Sequence, residues 1–378
     1  MEGRKRMSVI GIPGDEKKDQ PSKAPSAVSL PGRLLEAGLT ETFNKEELGA
    51  SRAVYVSSIS DRDGKNRKSF SDKDQLVLMP VDGDERALCS WVSESVGFAC
   101  KKGLKPESPN QDSFSVLVVE NQFALYGVYD GHGPFGHDVS DMARVTLVKL
   151  FMQHPKRATD TEAVFMEVFL ETQKILQAAP KERIPDVNTS GTTCTMAYHD
   201  MVRQTLTVAH VGDSRSVIGK RKAKTGDYED VLELTIDHKP NLEKERKRIE
   251  SAKPPGRVVF DGYYNHRVFA QNGMYPGLNM SRALGDVIAH QEAGLTAEPD
   301  VCTIDLKVER AKHPELTLLL CTDGVWEFIE SKAATELVST FEKALPACER
   351  LSKESWDRWM ADSDNEISDD ITALMVSL

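Results

Sequence analysis

Acidic residues stand at the margins of five apolar runs, and a histidine stands beside one of them. "LYGVYDGHGP" ends on Asp130 and places His132 two residues later; "LTLLLCTDG" ends on Asp323. Asp213 follows "LTVAHVG", Asp112 precedes "SFSVLVVE", and Asp369 and Asp370 precede "ITALMVSL". If those ends converge, they form a negative cluster that is costly unless cations neutralise it. Carboxylate oxygens without thiolates or paired imidazoles suit the hard cations Mg²⁺ and Mn²⁺. A glycine follows both Asp130 and Asp323, so the backbone can approach closely and offer a carbonyl. Two such ions, about 3.5–4 Å apart, can share a hydroxide and hold a phosphoryl group for in-line attack. His132, at the rim, is placed to protonate the leaving oxygen. Each piece alone has a plainer explanation, because Asp-Gly closes turns and a lone histidine often caps a loop. The metal reading therefore depends on convergence.

The elements that would position these residues are legible as patterns. "SFSVLVVE" and "FALYGVYD", separated by Asn121-Gln122, predict a hairpin. Val139, Met142, Ala143, Leu147, Leu150 and Phe151 fall at helical spacing. A second helix is predicted over 161–178, on Val164, Phe165, Val168, Phe169, Ile175 and Leu176. "TTCTMAYH", "QTLTVAHVG", "SVIGK" and "VLELTI" read as short strands, "NLEKERKRIE" as a charged helix, and "LTLLLCTDG" and "DITALMVSL" as late buried strands. Gly, Pro, Tyr and Asn over 253–279 predict an irregular flap. Runs of strands and long helices in separate blocks imply an α+β fold, sheets packed together with helices outside.

The chain has 378 residues, 39% of them hydrophobic, enough for a sizeable core. A formal net charge of −11 argues against nucleic acid or anionic lipid as partner. No apolar run is long enough to span a membrane. The six cysteines form no close pair, so reduced core thiols in an intracellular protein, cytoplasmic or nuclear, are expected. Residues 1–32 are rich in Lys, Asp, Pro and Ser and read as a disordered tail. An N-terminal extension over 33–89, with a short helix at "RLLEAGLTETFNKEEL", leads into a domain over 90–378 with its flap at 241–280.

In order, "NQDSF", "YDGHGP", "SGTTC", "VAHVGDSR", "LTIDHKP", "LNMSRALGD", "LLCTDGVWEF" and "SDDITALMV" resemble the motifs of the metal-dependent protein phosphatase family, type 2C. The resemblance implies a central β-sandwich of two antiparallel sheets between helices. It also implies a binuclear Mn²⁺/Mg²⁺ site with a bridging hydroxide, acting on phosphoserine and phosphothreonine in proteins. On those motifs Asp130 resembles the bridging ligand, with the Gly131 carbonyl beside it. Asp323 and Asp369 resemble further ligands, Asp369 being preferred to Asp370. Asp112 resembles an acid contacting the metal shell, Asp213 a ligand of a weaker third ion, and His132 the general acid. Glu327 stands where relatives often carry Asp near that third ion, and its longer arm moves the carboxylate. Relatives often carry an Arg before the first motif; here Lys105, or alternatively Lys102, is the candidate for substrate phosphate. Arg282 and Asp286 in "SRALGD" are expected to pair with each other. The partners expected are phosphorylated proteins, met by a monomer.

Two competing readings are weaker. "VYVSSISDRDG" superficially matches aspartyl-phosphate hydrolases of the haloacid dehalogenase type, with Asp61 or Asp63 as nucleophile, but Lys65 stands where Thr or Val is expected. A non-catalytic binding module would usually have lost metal acids or the histidine, and this chain retains Asp130, His132, Asp323 and Asp369.

Overall fold

The computed structural model describes residues 53–59, 68–78, 92, 94–104, 109–221 and 228–378. The expected tail, the helix at "RLLEAGLTETFNKEEL", Asp61, Asp63 and Lys105 lie outside the described residues.

Two sheets pack back to back, and their central strands are buried at every position because both faces are covered. The first contains β1 (Ala53–Ser58), β2 (Gln75–Leu78), β4 (Ser113–Val119), β5 (Phe123–Tyr129), β8 (Cys194–Asp200), β9 (Thr205–Val211) and β16 (Asp300–Asp305). Their order is β16-β9-β8-β5-β4-β1-β2. The second contains β3 (Val96–Lys101), β10 (Arg215–Arg221), β11 (Tyr228–Glu233), β17 (Glu315–Cys321) and β18 (Ile371–Ser377), ordered β11-β10-β17-β18-β3. Every pairing within these two sheets is antiparallel. Alternate residues of β4 and β5 (Phe114, Val116 and Val118; Ala124, Tyr126 and Val128) pack on Ile218, Leu318, Leu320 and Leu374 of the opposite sheet. The intervening Leu117, Val119, Leu125 and Tyr129 point the other way, onto helices.

Those helices are α1 (Gly136–Gln153) and α2 (Thr161–Gln177). Val139, Ala143, Leu147 and Phe151 of α1 and Val164, Phe165, Val168 and Phe169 of α2 share that core. Burying each such side chain stabilises by roughly 1.5–3 kcal/mol. Along the chain follow α3 (Glu243–Ser251), α4 (Val287–Glu292), α5 (Leu306–Lys312), α6 (Asp323–Trp326), α7 (Ser331–Val338) and α8 (Ala344–Asp362). Ala334 and Val338 of α7 and Ala347, Cys348 and Leu351 of α8 cover the outer face of the second sheet. The layers are therefore helix, sheet, sheet, helix, as expected. Among the described residues, no helix is long and apolar enough to cross a membrane.

Two features differ from the sequence expectation. The first sheet reaches into the segment set apart as an extension, because β1 pairs with both β2 and β4. The flap is not irregular: β12 (Gly256–Phe260), β13 (His266–Ala270) and β14 (Pro276–Leu278) form an antiparallel sheet. Its own small core joins Val268 and Ala270 to Ile249 of α3. Frequent Gly, Pro and Asn masked its short alternation. A last small sheet, ordered β15-β7-β6, joins β6 (Gly131–His132), β7 (Gly191–Thr192) and β15 (Leu284–Gly285).

Candidate metal centre and its histidine

Antiparallel register brings the acid-bearing strand ends together. Ser113, next to Asp112, faces Tyr129, next to Asp130. Cys321, near Asp323, faces Arg215 on one side and Ala373 on the other. Asp213, Asp323 and Asp369-Asp370 thus share one end of the second sheet. Asp112 ties the sheets together, since its Oδ2 accepts from the hydroxyls of Thr322 at 2.8 Å and Thr372 at 2.7 Å. Its Oδ1 is buried without a hydrogen-bond partner. The loop bearing Asp112 is gripped from behind by buried Lys73, whose Nζ donates to the carbonyls of Asn110 and Asp112.

Each other acid has its own support. Thr193 brackets the Asp130 backbone: its Oγ1 accepts from the Asp130 N–H at 3.1 Å, and its N–H donates to the Asp130 carbonyl at 2.9 Å. Gly131 has to be glycine, because a Cβ there would lie 2.4 Å from the Gly136 carbonyl oxygen and 2.6 Å from that of Gln111. Asp370 accepts backbone N–H groups of Gly103 at 2.7 Å and Gln111 at 2.8 Å. It is buried as a tether, while Asp369 is the partly exposed member of the pair. Asp213 is buried; Lys239 donates to its Oδ2, and its Oδ1 has no hydrogen-bond partner.

The cluster is electrostatically tense. Burial, then the charges of Asp112, Asp323, Asp369 and Asp213, pushes Asp130 well above the carboxylate range. Burial, Asp213 and Asp369 push Asp323 up to about 8, with Lys239 pulling the other way. Burial and Asp370 push Asp112 up to about 7. Burial opposes the Lys239 charge, but Asp213 and Asp323 outweigh it and raise its pKa. Among the described residues, no three His, Cys, Asp or Glu side chains are already drawn into a cage around one point. The residues present nevertheless fit divalent cations. Their donors are oxygens, they repel one another, and buried oxygens on Asp112 and Asp213 lack partners.

His132 Nε2 lies 2.6 Å from Asp286 Oδ2. Burial lowers the imidazole pKa, but Asp286, helped by Asp213 and Asp323, prevails and the net shift is upward. The expected Arg282–Asp286 pair does not form. Arg282 instead grips Glu245 of α3 at 2.6 Å and Asp300 at 2.8 Å, anchoring the flap helix, while Asp286 turns to the histidine. Lys102 is buried and donates to the Gly103 carbonyl at 3.2 Å. Glu327 is exposed. Lys239, Thr322 and Thr372 were not singled out from sequence. Each lies within a quoted motif, "LTIDHKP", "CTDG" or "DDIT", and position beside a site acid was the available signal.

The family model described as Protein phosphatase 2C matches residues 107–364. The chain is 28% identical over 302 residues to "Probable protein phosphatase 2C 35" of Arabidopsis thaliana, covering 74% of this chain and 82% of that protein. It is 31% identical over 266 residues to "Probable protein phosphatase 2C 34" of the same plant, covering 66% and 70%. Among solved structures, serine-threonine phosphatase 2C from Toxoplasma gondii aligns with a TM-score of 0.62 at 19% identity, covering 75% of this chain and 94% of that one. A C. elegans sex determining protein aligns with a TM-score of 0.57 at 21% identity, covering 75% and 64%. These two structural likenesses speak to the fold. The chain belongs to the protein phosphatase 2C family of metal-dependent serine/threonine protein phosphatases, hydrolases of phosphoric monoesters.

Proposed function

We propose that this chain hydrolyses phosphoserine and phosphothreonine on proteins at the acid cluster. Asp112, Asp130, the Gly131 carbonyl, Asp323 and Asp369 hold two Mn²⁺ or Mg²⁺ ions, and Asp213 faces a weaker third. The observation that carries the reading is the convergence of mutually repelling, partly unpartnered acids at one end of the sandwich. When bound, such ions offset the acids' charge, hold phosphoryl oxygens and acidify water.

The chain's own residues do the rest. Thr193 fixes where Asp130 points, and Thr322 and Thr372 fix Asp112. His132, its pKa raised, keeps a proton for the leaving seryl or threonyl oxygen as the P–O bond breaks. Lys105, with Lys102 as alternative, meets the substrate phosphate. The catalytic unit is residues 90–378 with a flap at 241–280, completed by β1, β2 and Lys73 of the preceding segment, acting as an intracellular monomer on phosphoproteins.

The deciding experiment measures phosphate release from a phosphothreonine peptide in excess EDTA and after adding back Mn²⁺ or Mg²⁺. The reading expects activity only after addition, and full turnover in EDTA would end it.

A further inference from the structure

Part of the support beneath Asp112 comes from a segment that precedes the family-matched span. Residues 70–73 lie along β3 at the edge of the second sheet. The Phe70 N–H donates to the Lys102 carbonyl at 2.7 Å, the Lys102 N–H to that of Ser71 at 3.0 Å, and the Lys73 N–H to that of Cys100 at 2.9 Å. One residue on, the Asp74 carbonyl accepts the Ile59 N–H at 2.8 Å, and β2 then joins β1 in the first sheet. The segment thus crosses from one sheet to the other. Lys73 stands at the crossing, turned inward and 4% exposed.

Its three ammonium hydrogens meet three acceptors, all on the loop that carries the acid: the carbonyls of Asp112 and, at 3.2 Å, Asn110, and the Ser113 hydroxyl at 3.3 Å. The two carbonyls flank Gln111, so one cation closes the loop on itself. Gln111 is held in turn, its N–H donating to Asp370 at 2.8 Å and its carbonyl accepting from the Ser140 hydroxyl at 2.6 Å. The Asp112 N–H donates to the Asn110 side chain at 2.9 Å. Thr322 and Thr372 then fix Oδ2, leaving Oδ1 buried without a hydrogen-bond partner. Burying an ammonium is costly, and a side chain that only joined two sheets would serve better as an apolar one. What the ammonium adds is a grip on both carbonyls, and with them on the direction of the Asp112 carboxylate.

We propose that Lys73 is a positioning residue for Asp112: it presets the acid's loop for a divalent cation, so that docking of the N-terminal strand pair raises the affinity of the metal site. A loop ordered before binding spends less of the binding free energy on its own ordering. The ammonium itself faces backbone carbonyls, so it orients the ligand and does not occupy the cation's place. The inference rests on the metal reading of the acid cluster and adds what sets one of its ligands.

The test compares wild type, Lys73→Met, Lys73→Gln and Tyr55→Phe, each as the full chain. Tyr55 lies on β1 and its hydroxyl accepts from Arg144 of α1 at 2.8 Å, so Tyr55→Phe weakens the same strand pair without removing the grip on the Asp112 loop. By calorimetry, Lys73→Met should bind Mg²⁺ about 10–100-fold more weakly than wild type, the range typical when a group that orients a metal ligand is lost. Lys73→Gln keeps a donor amide and should fall between the two; it carries the test if Lys73→Met does not fold. Tyr55→Phe should melt lower in EDTA yet bind Mg²⁺ as wild type does. In the metal-free proteins, hydrogen exchange at the Gln111 and Asp112 amides should quicken in Lys73→Met and not in Tyr55→Phe. On a phosphothreonine peptide, the Mg²⁺ concentration giving half-maximal rate should rise in step with the binding loss, with KM for the peptide unchanged. Wild-type Mg²⁺ affinity in the folded Lys73 variants, equal weakening in Tyr55→Phe, or unaltered exchange at Gln111 and Asp112 would each overturn the proposal. Absence of Mg²⁺ binding by the wild type would instead remove the metal reading itself, so the two failures are told apart.

Discussion

The two ends of the acid cluster are balanced in different ways. At one end, Asp112 is enclosed and receives only hydroxyl hydrogen bonds, from Thr322 and Thr372. Neutral donors do not offset its charge, and burial pushes it up to about 7. At the other end, Asp213 is equally buried but meets the ammonium of Lys239. Buried Lys73 donates to the backbone carbonyls of Asn110 and Asp112 and not to the Asp112 carboxylate, which awaits a proton or a cation, while the Asp213 carboxylate already holds the Lys239 ammonium. Asp130 feels both ends, whereas Asp323 feels Asp213 and Lys239 together with Asp369. A metal's contribution should therefore be concentrated towards Asp112 and Asp130, and mutations at the two ends should not be interchangeable.

The largest effect should come from Asp130→Asn and Asp323→Asn. Phosphopeptide turnover is expected to fall to background, and the melting temperature in EDTA should stay level or rise, because a repelled charge has gone. Substantial turnover in either variant would break the comparison by moving the essential chemistry to the lysine end.

Next in size is His132→Ala. General acid catalysis typically contributes about 10²–10⁴-fold. A loss of that order is expected on a phosphothreonine peptide, and a much smaller one on p-nitrophenyl phosphate at saturating Mn²⁺.

Lys239→Met sharpens the contrast. Removing one partner of a buried pair costs about 3–5 kcal/mol. Because Lys239 is 32% exposed, solvent screening reduces this to about 1–3 kcal/mol in EDTA. Urea unfolding should show Mg²⁺ recovering more stability in this variant than in wild type. Lys239→Met/Asp213→Asn should need less rescue. Equal Mg²⁺ stabilisation in variant and wild type would mean that the lysine does not stand in for a cation.

The smallest effect is graded with pH. A carboxyl whose pKa is higher folded than unfolded holds its proton more tightly in the folded state. The stability of the metal-free protein should then be lost as pH rises from the ordinary value of 3.8 towards about 7 for Asp112 and about 8 for Asp323. Divalent cations compete with those protons, so the gap between melting temperatures in Mn²⁺ and in EDTA should widen with pH. A gap that narrows from pH 5 to 8 would contradict the assigned shifts.

What the sequence revealed followed the range of the signal. The hairpin of β4 and β5, the helices α1 and α2 and the acid-bearing strand ends rest on local periodicity, and each matches the structure, whereas the long helix α8 was not anticipated. Convergence of those ends follows from strand pairing, which local spacing does not encode. Partner choice was harder. Asp286 finds a histidine 154 residues away rather than Arg282 four residues before it, because β15 turns it inward while Arg282 reaches Glu245 of α3. Lys239 was hidden for the same reason, its partner lying 26 residues back, on the other side of strands β10 and β11. The flap sheet was missed because its strands are short and rich in residues that usually mark loops.

The placement of β1 bears on how the molecule can be shortened. A fragment cut to the family-matched span, 107–364, would lack β1, β2, β3 and the whole of the last strand, β18, together with Asp369 and Asp370 before it. Both sheets would then expose unpaired backbone along β4 and β17, the kind of open ladder that recruits other chains into aggregates. It would also lose Lys73 from beneath Asp112 and Tyr55 from the Arg144 guanidinium. Insolubility of such a fragment would reflect torn sheets, and inactivity of any soluble remainder would follow from the loss of Asp369.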